Sequence, residues 1–324
     1  MNPPLHPEFP LVIGVGASAG GVEALIGLVG ALPLDLPAPV LVVLHVAPSS
    51  ASVLAGILGR QTGMPVTAAR GGERMQAGHL YVAPPDQHLR AVDGVLTLDR
   101  EPRVNGHRPA IDPLLRSLAE AYGSRAVGVI LSGTRDDGTM GLAAVKSAGG
   151  LAFVQDPDEA LYPSMPLSAA DAVAVDGSLG VEALAHRLGE IARSAPDADQ
   201  DGEARSDLAL DRAAVRAATR LTCPDCGGVL FEESDVGGTR FACSVGHVYA
   251  PESLDVEQAR HLESALWAAV RSLEDRADLL ERLAERARGR QNERAAGGHR
   301  SEAEESLRRA DLIRRIVAEP RRTP

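Results

Sequence analysis

Cysteine is the first scarcity in this chain: there are 3 in 324 residues, all between positions 223 and 243. So few, so clustered, exclude a secreted disulfide framework and point to a reducing compartment. Aromatic residues make up only 3%, so the core has to be built from Ala, Val and Leu, and the 44% hydrophobic content supplies it. Basic residues are short as well, with 33 Lys and Arg against 44 Asp and Glu and a net charge of −11. Phosphate neutralisation needs lysine and arginine, so nucleic acid is not an expected partner. No stretch approaches the roughly 20 apolar residues that span a bilayer. The start, "MNPPLHPEFP", lacks the basic region and apolar run of a signal peptide. These absences make a soluble cytoplasmic protein, with no membrane insertion, the expectation.

What is present is a chain long enough for two domains, or one large domain with appendages. Between Leu11 and Glu190 short aliphatic runs alternate with longer amphipathic stretches. "LVIGVG", "VLVVLHV", "HLYVAP", "AVGVILSG" and "GLAFVQD" are continuous and rich in Val, Leu and Ile, as strands buried on both faces of a parallel sheet are. Helices are predicted over Val22–Leu32, Pro113–Tyr122 and Gly141–Ala148, and "LRAVDGVLTLDR" reads as a hairpin turning at Asp93-Gly94. The fold class is therefore α/β, a doubly wound, mostly parallel sheet with a small antiparallel excursion.

The segment "GVGASAGG" after the first strand reads two ways. Gly14, Gly16 and Ala19 fit the dinucleotide-binding turn, while Gly16, Ser18 and Gly20 fit a nucleophile elbow. A dinucleotide site wants an acid at the end of the second strand to hold the ribose, but that end carries His45, and no Gly-Lys-Ser/Thr follows the glycines. A serine nucleophile wants a histidine base and a carboxylate to fix the imidazole tautomer. Strand ends in a parallel sheet share one rim. Ser18, His45 and, after a third strand, Asp136 or Asp137 are thus offered on one edge. Taken singly, each has a bland reading: a turn serine, a structural histidine, a capping aspartate. The glycines are expected to let the chain turn sharply enough to present Ser18.

Several segments, in colinear order, carry a resemblance: "IGVGASAGGVEAL", "LVVLHVAP", "GHLYVAPPDQHL", "HRPAIDPLLRSLAEAYG", "GVILSGTRDDGTMGLAAVKSAGG" and "DPDEALYPSMPLSAADA". Together they resemble the catalytic domain of the chemotaxis protein-glutamate methylesterases of the CheB type. The resemblance implies a Ser18 nucleophile, a His45 base and Asp137 as the orienting acid, with Asp136 as its rival. It implies hydrolysis of glutamate methyl esters on a chemoreceptor or other signalling protein, glutamine deamidation by the same attack, and no catalytic cofactor. Two departures stand beside the site. The family's Ser-Thr-Gly-Gly is here Ser18-Ala19-Gly20-Gly21, and its Gly-Met-Gly-x-Asp-Gly is here Gly133-Thr134-Arg135-Asp136-Asp137-Gly138. The family's receiver domain has no room ahead of Leu11, so control by one in cis is not expected. The competing class is a noncatalytic scaffold that keeps the fold.

The catalytic domain is placed at 1–194 and a linker at 195–219, which opens on the acidic "APDADQDGEARSD"; a basic helical piece follows that stretch, from Leu208 to Leu221. A zinc-ribbon-like module occupies 220–250. Cys223, Cys226, Cys243 and His247 follow a Cys-x2-Cys, Cys-x3-His pattern that suits a tetrahedral, structural zinc site, with Gly227-Gly228 as a knuckle turn and a short hairpin between the pairs. From 251 to 324 a helical hairpin or docking tail is predicted, with a stripe of Leu262, Leu266, Leu273, Leu280 and Leu283. A bend is expected at Gly297-Gly298, then a return helix through Leu307, Ala310, Leu312 and Ile316. Packing of these helices on each other is the plain reading, and a homo-oligomer or docking surface the sharper one. Trp267 and Tyr249 are expected to fill the junction of ribbon and helices.

Overall fold

The computed structural model describes residues 9–195, 216–235 and 238–318, and the chain divides into two compact units, Met1–Leu254 and Asp255–Pro324. In the first unit the strands are β1 (Val12–Ala17), β2 (Val40–Leu44), β3 (Val66–Ala68), β4 (Leu80–Val82), the hairpin β5 (His88–Val92) and β6 (Val95–Asp99), then β7 (Ala126–Ile130), β8 (Leu151–Gln155) and β9 (Gly177–Leu179). The helices among them are α1 (Gly21–Ala31), α2 (Leu54–Leu58), α3 (Ile111–Tyr122), α4 (Thr139–Ser147), α5 (Ser164–Ala172) and α6 (Val181–Ser194). Seven strands form one sheet in the order β3-β4-β2-β1-β7-β8-β9, and every pairing in it is parallel. The central strands β1, β2 and β7 are buried throughout, as their unbroken aliphatic runs require.

Helices cover both faces of the sheet. One apolar cluster carries Leu25, Leu28, Leu58 and Leu188 from α1, α2 and α6. The other carries Leu114, Leu115, Leu142 and Met165 from α3, α4 and α5. The chain leaves β1 toward β2 on one side, and β7 pairs on the other. The sheet's direction of winding reverses there, and the crevice beyond the carboxyl ends of β1, β2 and β7 is the usual ligand position in such sheets.

Helix α3 matters most to that crevice. Ile111, Leu114, Leu115, Leu118 and Tyr122 recur at helical spacing and are all buried. Gly123, at φ 53°, ends the helix. The helix lies against glycines of the sheet: a Cβ at Gly14 would meet Leu118 and Leu115 at 2.7 and 2.8 Å, and one at Gly16 would meet Ile111 Cγ2 at 2.3 Å. These two glycines therefore buy close approach rather than a sharp turn; only Gly20, at φ 67°, serves the turn itself. Gly16→Ala is expected to cost about 1–3 kcal/mol, the usual penalty of overpacking. A urea melt checks this, and wild-type stability would contradict so tight a contact.

The β5–β6 hairpin turns at Asp93 (φ 52°) and Gly94 (φ 77°), the two positive values of the type I′ turn its sequence predicts. The ribbon belongs to the first compact unit. It is an antiparallel sheet of β10 (Ala217–Thr222), β11 (Val229–Asp235), β12 (Gly238–Cys243) and β13 (Val248–Tyr249) in that order. Of the linker at 195–219, residues 196–215 lie outside the described residues. The basic helical piece is corrected where it is described, because 217–221 form strand β10, pairing with β11 through Ala218 and Phe231. Cross-strand pairing decides there over local helical pattern.

In the second unit, α7 (Pro251–Gly289) continues from Asp255 and is followed by α8 (Glu293–Ala318). The bend is not at Gly297-Gly298, which lie inside α8 with open space around them. It is at Gln291, in the left-handed region at φ 59°, and at Asn292, whose Oδ1 accepts the Ala295 amide at 3.1 Å as a helix cap. The seam is built of small residues, with Ala277, Leu280 and Ala303 in one cluster. Arg276 pairs with Glu302 at 3.4 Å across it, and Arg314 pairs with Glu274. Of the predicted leucine stripe, Leu280 is buried in the seam, Leu266, Leu273 and Leu283 are partly buried and Leu262 is exposed; Leu312 and Ile316 of the return helix are exposed. Trp267 is likewise exposed, whereas Tyr249 is fully buried in the ribbon with Cys223, Leu230 and Leu254. Among the described residues no helix is long and apolar enough to cross a membrane.

Candidate active site

Three loops meet beyond the carboxyl ends of β1, β2 and β7, and backbone hydrogen bonds tie them together. The Ser18 amide donates to Ser132 O at 2.9 Å, and the His45 amide to Ala17 O at 3.1 Å. Ser132, buried, donates its hydroxyl to Ala19 O at 2.8 Å and accepts the Tyr162 amide at 3.0 Å. Its own amide donates to Gln155 Oε1 at 2.8 Å. The loop that carries Ser18 is thereby fixed to its neighbours before any ligand arrives.

On this frame Ser18, His45 and Asp137 form one hydrogen-bonded chain. Ser18 Oγ lies 3.1 Å from His45 Nδ1, and His45 Nε2 lies 2.7 Å from Asp137 Oδ2. The carboxylate selects the tautomer: Nε2 carries the proton and donates it to Asp137, leaving the Nδ1 lone pair toward the serine hydroxyl. The two ring nitrogens thus exchange the positions of the usual serine-protease arrangement without changing its logic. His45 and Asp137 side chains are 5% and 2% exposed, while Ser18 is only partly buried. The nucleophile candidate meets solvent and the pair behind it does not.

Asp137 is held by more than the imidazole. Its Oδ2 also accepts the Ile111 amide at 2.7 Å, and Oδ1 accepts Asn105 Nδ2 at 2.8 Å. Ile111 opens α3, so the carboxylate sits at a helix N-terminus, where free amides and the helix dipole favour a negative charge. Burial alone would raise this carboxyl. The hydrogen bond and charge of His45, the Ile111 amide and the charge of His107 outweigh it and hold the group well below the ordinary carboxylate range. The neighbouring Asp112 moves the other way, raised by burial and then by the Asp137 charge.

Asp136, the rival acid, faces elsewhere: its Oδ1 accepts the Ser253 hydroxyl at 2.5 Å. Burial raises its carboxyl, against the opposing Ser253 hydrogen bond, with the charges of Glu252 and Asp137 adding to the rise. A carboxyl raised in the fold binds more protons folded than unfolded, so it subtracts stability as pH climbs above the ordinary value of 3.8. Asp136→Asn is therefore expected to melt above wild type at pH 7 and to lose that advantage toward pH 4. Parallel melts at the two pH values check the sign.

Sequence reasoning missed Asn105, His107 and Ser132. His107 stacks on His45 with ring centroids 3.7 Å apart and planes 6° from parallel. Asn105 and Gly106 have φ 54° and 78°, a type I′ turn between Val104 and His107. The Asn-Gly pair was the available signal, since it is the strongest short-range turn marker. In the ribbon, the ligand atoms of Cys223, Cys226, Cys243 and His247 all lie within 4.8 Å of one another. Cys226 and Cys243 Sγ are 3.7 Å apart, and Cys243 Sγ is 3.5 Å from His247 Nδ1. These separations suit four ligands at 2.0–2.3 Å around one tetrahedral ion. Turns at Gly227 (φ 71°) and Gly246 (φ 105°) form the two knuckles.

Comparison with known proteins bears on the first unit. The curated relatives include protein-glutamate methylesterase/protein-glutamine glutaminase 2 of Anaeromyxobacter dehalogenans, 38% identical over 182 residues, covering 56% of this chain and 53% of that protein. A third form from the same organism is 41% identical over 190 residues, 57% of this chain and 56% of its own. The chain thus spans about half the length of these relatives. A relative from Leptospira interrogans is 37% identical over 174 residues, 53% of this chain but 90% of its own. Among solved structures, the Thermotoga maritima CheB methylesterase catalytic domain is similar with a TM-score of 0.54 and 34% identity, over 56% of this chain and 98% of that one. With residues 13–188 matching the CheB methylesterase family model, the chain belongs to the CheB methylesterase family.

Proposed function

We propose that this chain is a serine hydrolase that removes methyl esters from glutamate side chains of a signalling protein such as a chemoreceptor. The observation that carries the reading is the continuous chain from Ser18 through His45 to Asp137 at the sheet's rim. Ser18 Oγ attacks the γ-carbonyl carbon of the ester while His45 Nδ1 takes its proton. The tetrahedral intermediate collapses, Nδ1 returns the proton, and methanol leaves. Water, deprotonated at Nδ1, attacks the acyl-enzyme and releases glutamate with Ser18 restored. The same attack on a glutamine side chain releases ammonia in place of methanol.

The oxyanion donors are narrowed by what the loops already use. The Ser18, Gly21 and Gly133 amides donate within the loops, to Ser132, Ser18 and Tyr162 carbonyls. This reading assigns the oxyanion to the remaining amides of the two loops, with Ala19 and Thr134 foremost. Zinc at Cys223, Cys226, Cys243 and His247 belongs to the same proposal. Four protein ligands leave no open position, so the ion is structural and takes no part in the chemistry. Free thiols at these positions suit the reducing cytoplasm, where a chemoreceptor's methylation sites would be met.

Methanol release from methylated chemoreceptor, followed over time with the purified chain, tests the reading. Turnover is the expected result. No methanol, together with no hydrolysis of an activated aryl ester, would remove the esterase in favour of a noncatalytic scaffold.

A further inference from the structure

Asn105 joins two parts of the first unit that the chemistry would otherwise keep separate. Its Nδ2 donates to Asp137 Oδ1 at 2.8 Å and to Asp112 Oδ2 at 3.1 Å. Its Oδ1 accepts the Ala250 amide at 2.7 Å, and its backbone amide donates to Val248 O, also at 2.7 Å. Val248 and Ala250 lie one and three residues after His247, the last member of the candidate metal-binding set. Both amide protons and the amide oxygen of this fully buried side chain are thereby satisfied. A second contact runs in parallel, from the Ser253 hydroxyl to Asp136 Oδ1, and both of these groups are buried.

The segment that makes these contacts is weak by itself. Strand β13 is only Val248–Tyr249, paired with β12 through Phe241 and Ala242. Among the described residues its other edge meets only the Asn105 turn itself, through the Val104–Val248 bridge and the Val248 amide donating to Arg103 O at 3.4 Å, so within the ribbon its place is set by β12 and by the turn that leads into it. Cys243 and His247 stand on either side of the turn that leads into it, and the Cys243 amide donates to His247 O at 3.0 Å. An ion bound to both side chains would close that turn. Metal binding in small ribbons of this kind supplies folding free energy directly.

We propose that the metal-loaded ribbon is a working part of the active site: by fixing 248–250 it holds Asn105, and Asn105 holds Asp137 against His45. Asn105 is thus a positioning residue acting through the acid. The His107 ring, stacked on His45, belongs to the same Val104–His107 turn, so a displaced turn disturbs the base and the acid together. Loss of the metal, by chelation or by oxidation of the cysteines, would then lower hydrolysis although no ligand touches the substrate. The inference rests on the esterase reading for its kinetic readout but not for its structural one.

The test compares three forms of the full chain: zinc-loaded wild type, chelator-treated wild type before and after Zn2+ is returned, and zinc-loaded Asn105→Gly. Glycine keeps the positive φ of the turn and deletes only the amide. Metal content, circular dichroism, kcat and KM on an activated aryl ester, and the downfield proton resonance of the His45–Asp137 hydrogen bond are read for each. The zinc-loaded protein is expected to hold one ion per chain and show the resonance. Stripping should weaken the resonance and reduce kcat at least tenfold with KM little changed, both restored by Zn2+. Asn105→Gly, retaining its zinc and its folded circular-dichroism spectrum, should show the same kcat loss. If the stripped chain unfolds, Asn105→Gly decides alone: wild-type kcat and an unchanged resonance overturn the proposal. If wild type hydrolyses no ester, the esterase reading fails while the resonance still reports on the clamp.

Discussion

Ser18→Ala is expected to reduce methyl-ester hydrolysis by roughly 100,000-fold or more while leaving the fold intact, the scale seen when a triad nucleophile is removed. The expectation follows from the division of labour at the rim. His45 can activate water only in the second half of the reaction, after an acyl group has been formed on Ser18; without the hydroxyl there is no acyl-enzyme to hydrolyse. What survives is binding and whatever the backbone amides contribute to an oxyanion, a remnant of about 1,000- to 10,000-fold over water in enzymes of this logic. Stability should barely move. Ser18 is partly exposed, and its hydroxyl partner is an imidazole that already has Asp137 on its other nitrogen. A change within about 0.5 kcal/mol is the norm at such a position. Methanol release provides the rate, and a fluorophosphonate probe provides an independent count, since it should label wild type at Ser18 and leave the variant unlabelled. Turnover within tenfold of wild type, in protein free of contaminating esterase, would place the nucleophile elsewhere.

The sheet was legible because its central strands are unbroken aliphatic runs, which fit a parallel sheet covered on both faces. The hairpin was legible from Asp93-Gly94. The positions of Ser18, His45 and the Asp136–Asp137 pair after three strands were legible too, because strand ends in such a sheet share a rim. What local pattern left undecided was which aspartate turns toward the imidazole. That depends on the entry of α3, whose Ile111 amide meets Asp137 from 26 positions earlier in the chain. Glycine was misread for a related reason. Gly14 and Gly16 look like turn residues in sequence, but their lack of a Cβ is used by α3, a long-range neighbour. The small residues of the helical hairpin's seam were missed similarly, although Leu280 of the predicted stripe lies among them. Leucine spacing marks an apolar stripe, but Ala277 and Ala303 allow the close approach. Asn105 shows the limit most clearly, since its four hydrogen-bonded partners lie at 112, 137, 248 and 250 and no local signal joins them.

Asp137→Asn should cost on the order of 10,000-fold in kcat, and Asp136→Asn no more than about tenfold, although the two are adjacent in sequence. An Asn at 137 has one oxygen where the carboxylate has two, and three donors compete for acceptors there: the Ile111 amide, Asn105 Nδ2 and His45 Nε2. The Ile111 amide and His45 share Oδ2 while Asn105 takes Oδ1, so if the new oxygen stays with Asn105 its NH2 group faces the helix amide and His45. The imidazole then accepts at Nε2 and carries its proton on Nδ1, the tautomer that cannot take a proton from Ser18. The negative charge that would stabilise the imidazolium is lost as well. At 136 none of this applies, because an Asn oxygen still accepts the Ser253 hydroxyl and no charge is removed from the His45 hydrogen bond. The comparison isolates the role of the acid from the general effect of placing an amide in a buried loop. It requires both variants to be folded at the assay pH, which the pH 7 melt of Asp136→Asn checks on the way. Equal losses at the two positions, or the larger loss at 136, would transfer the acid to Asp136 and with it the need for the loop to rearrange during turnover. A loss confined to 137 leaves the orientation of His45 resting on one carboxylate, and the helix amide and Asn105 as what keep that carboxylate charged and in place.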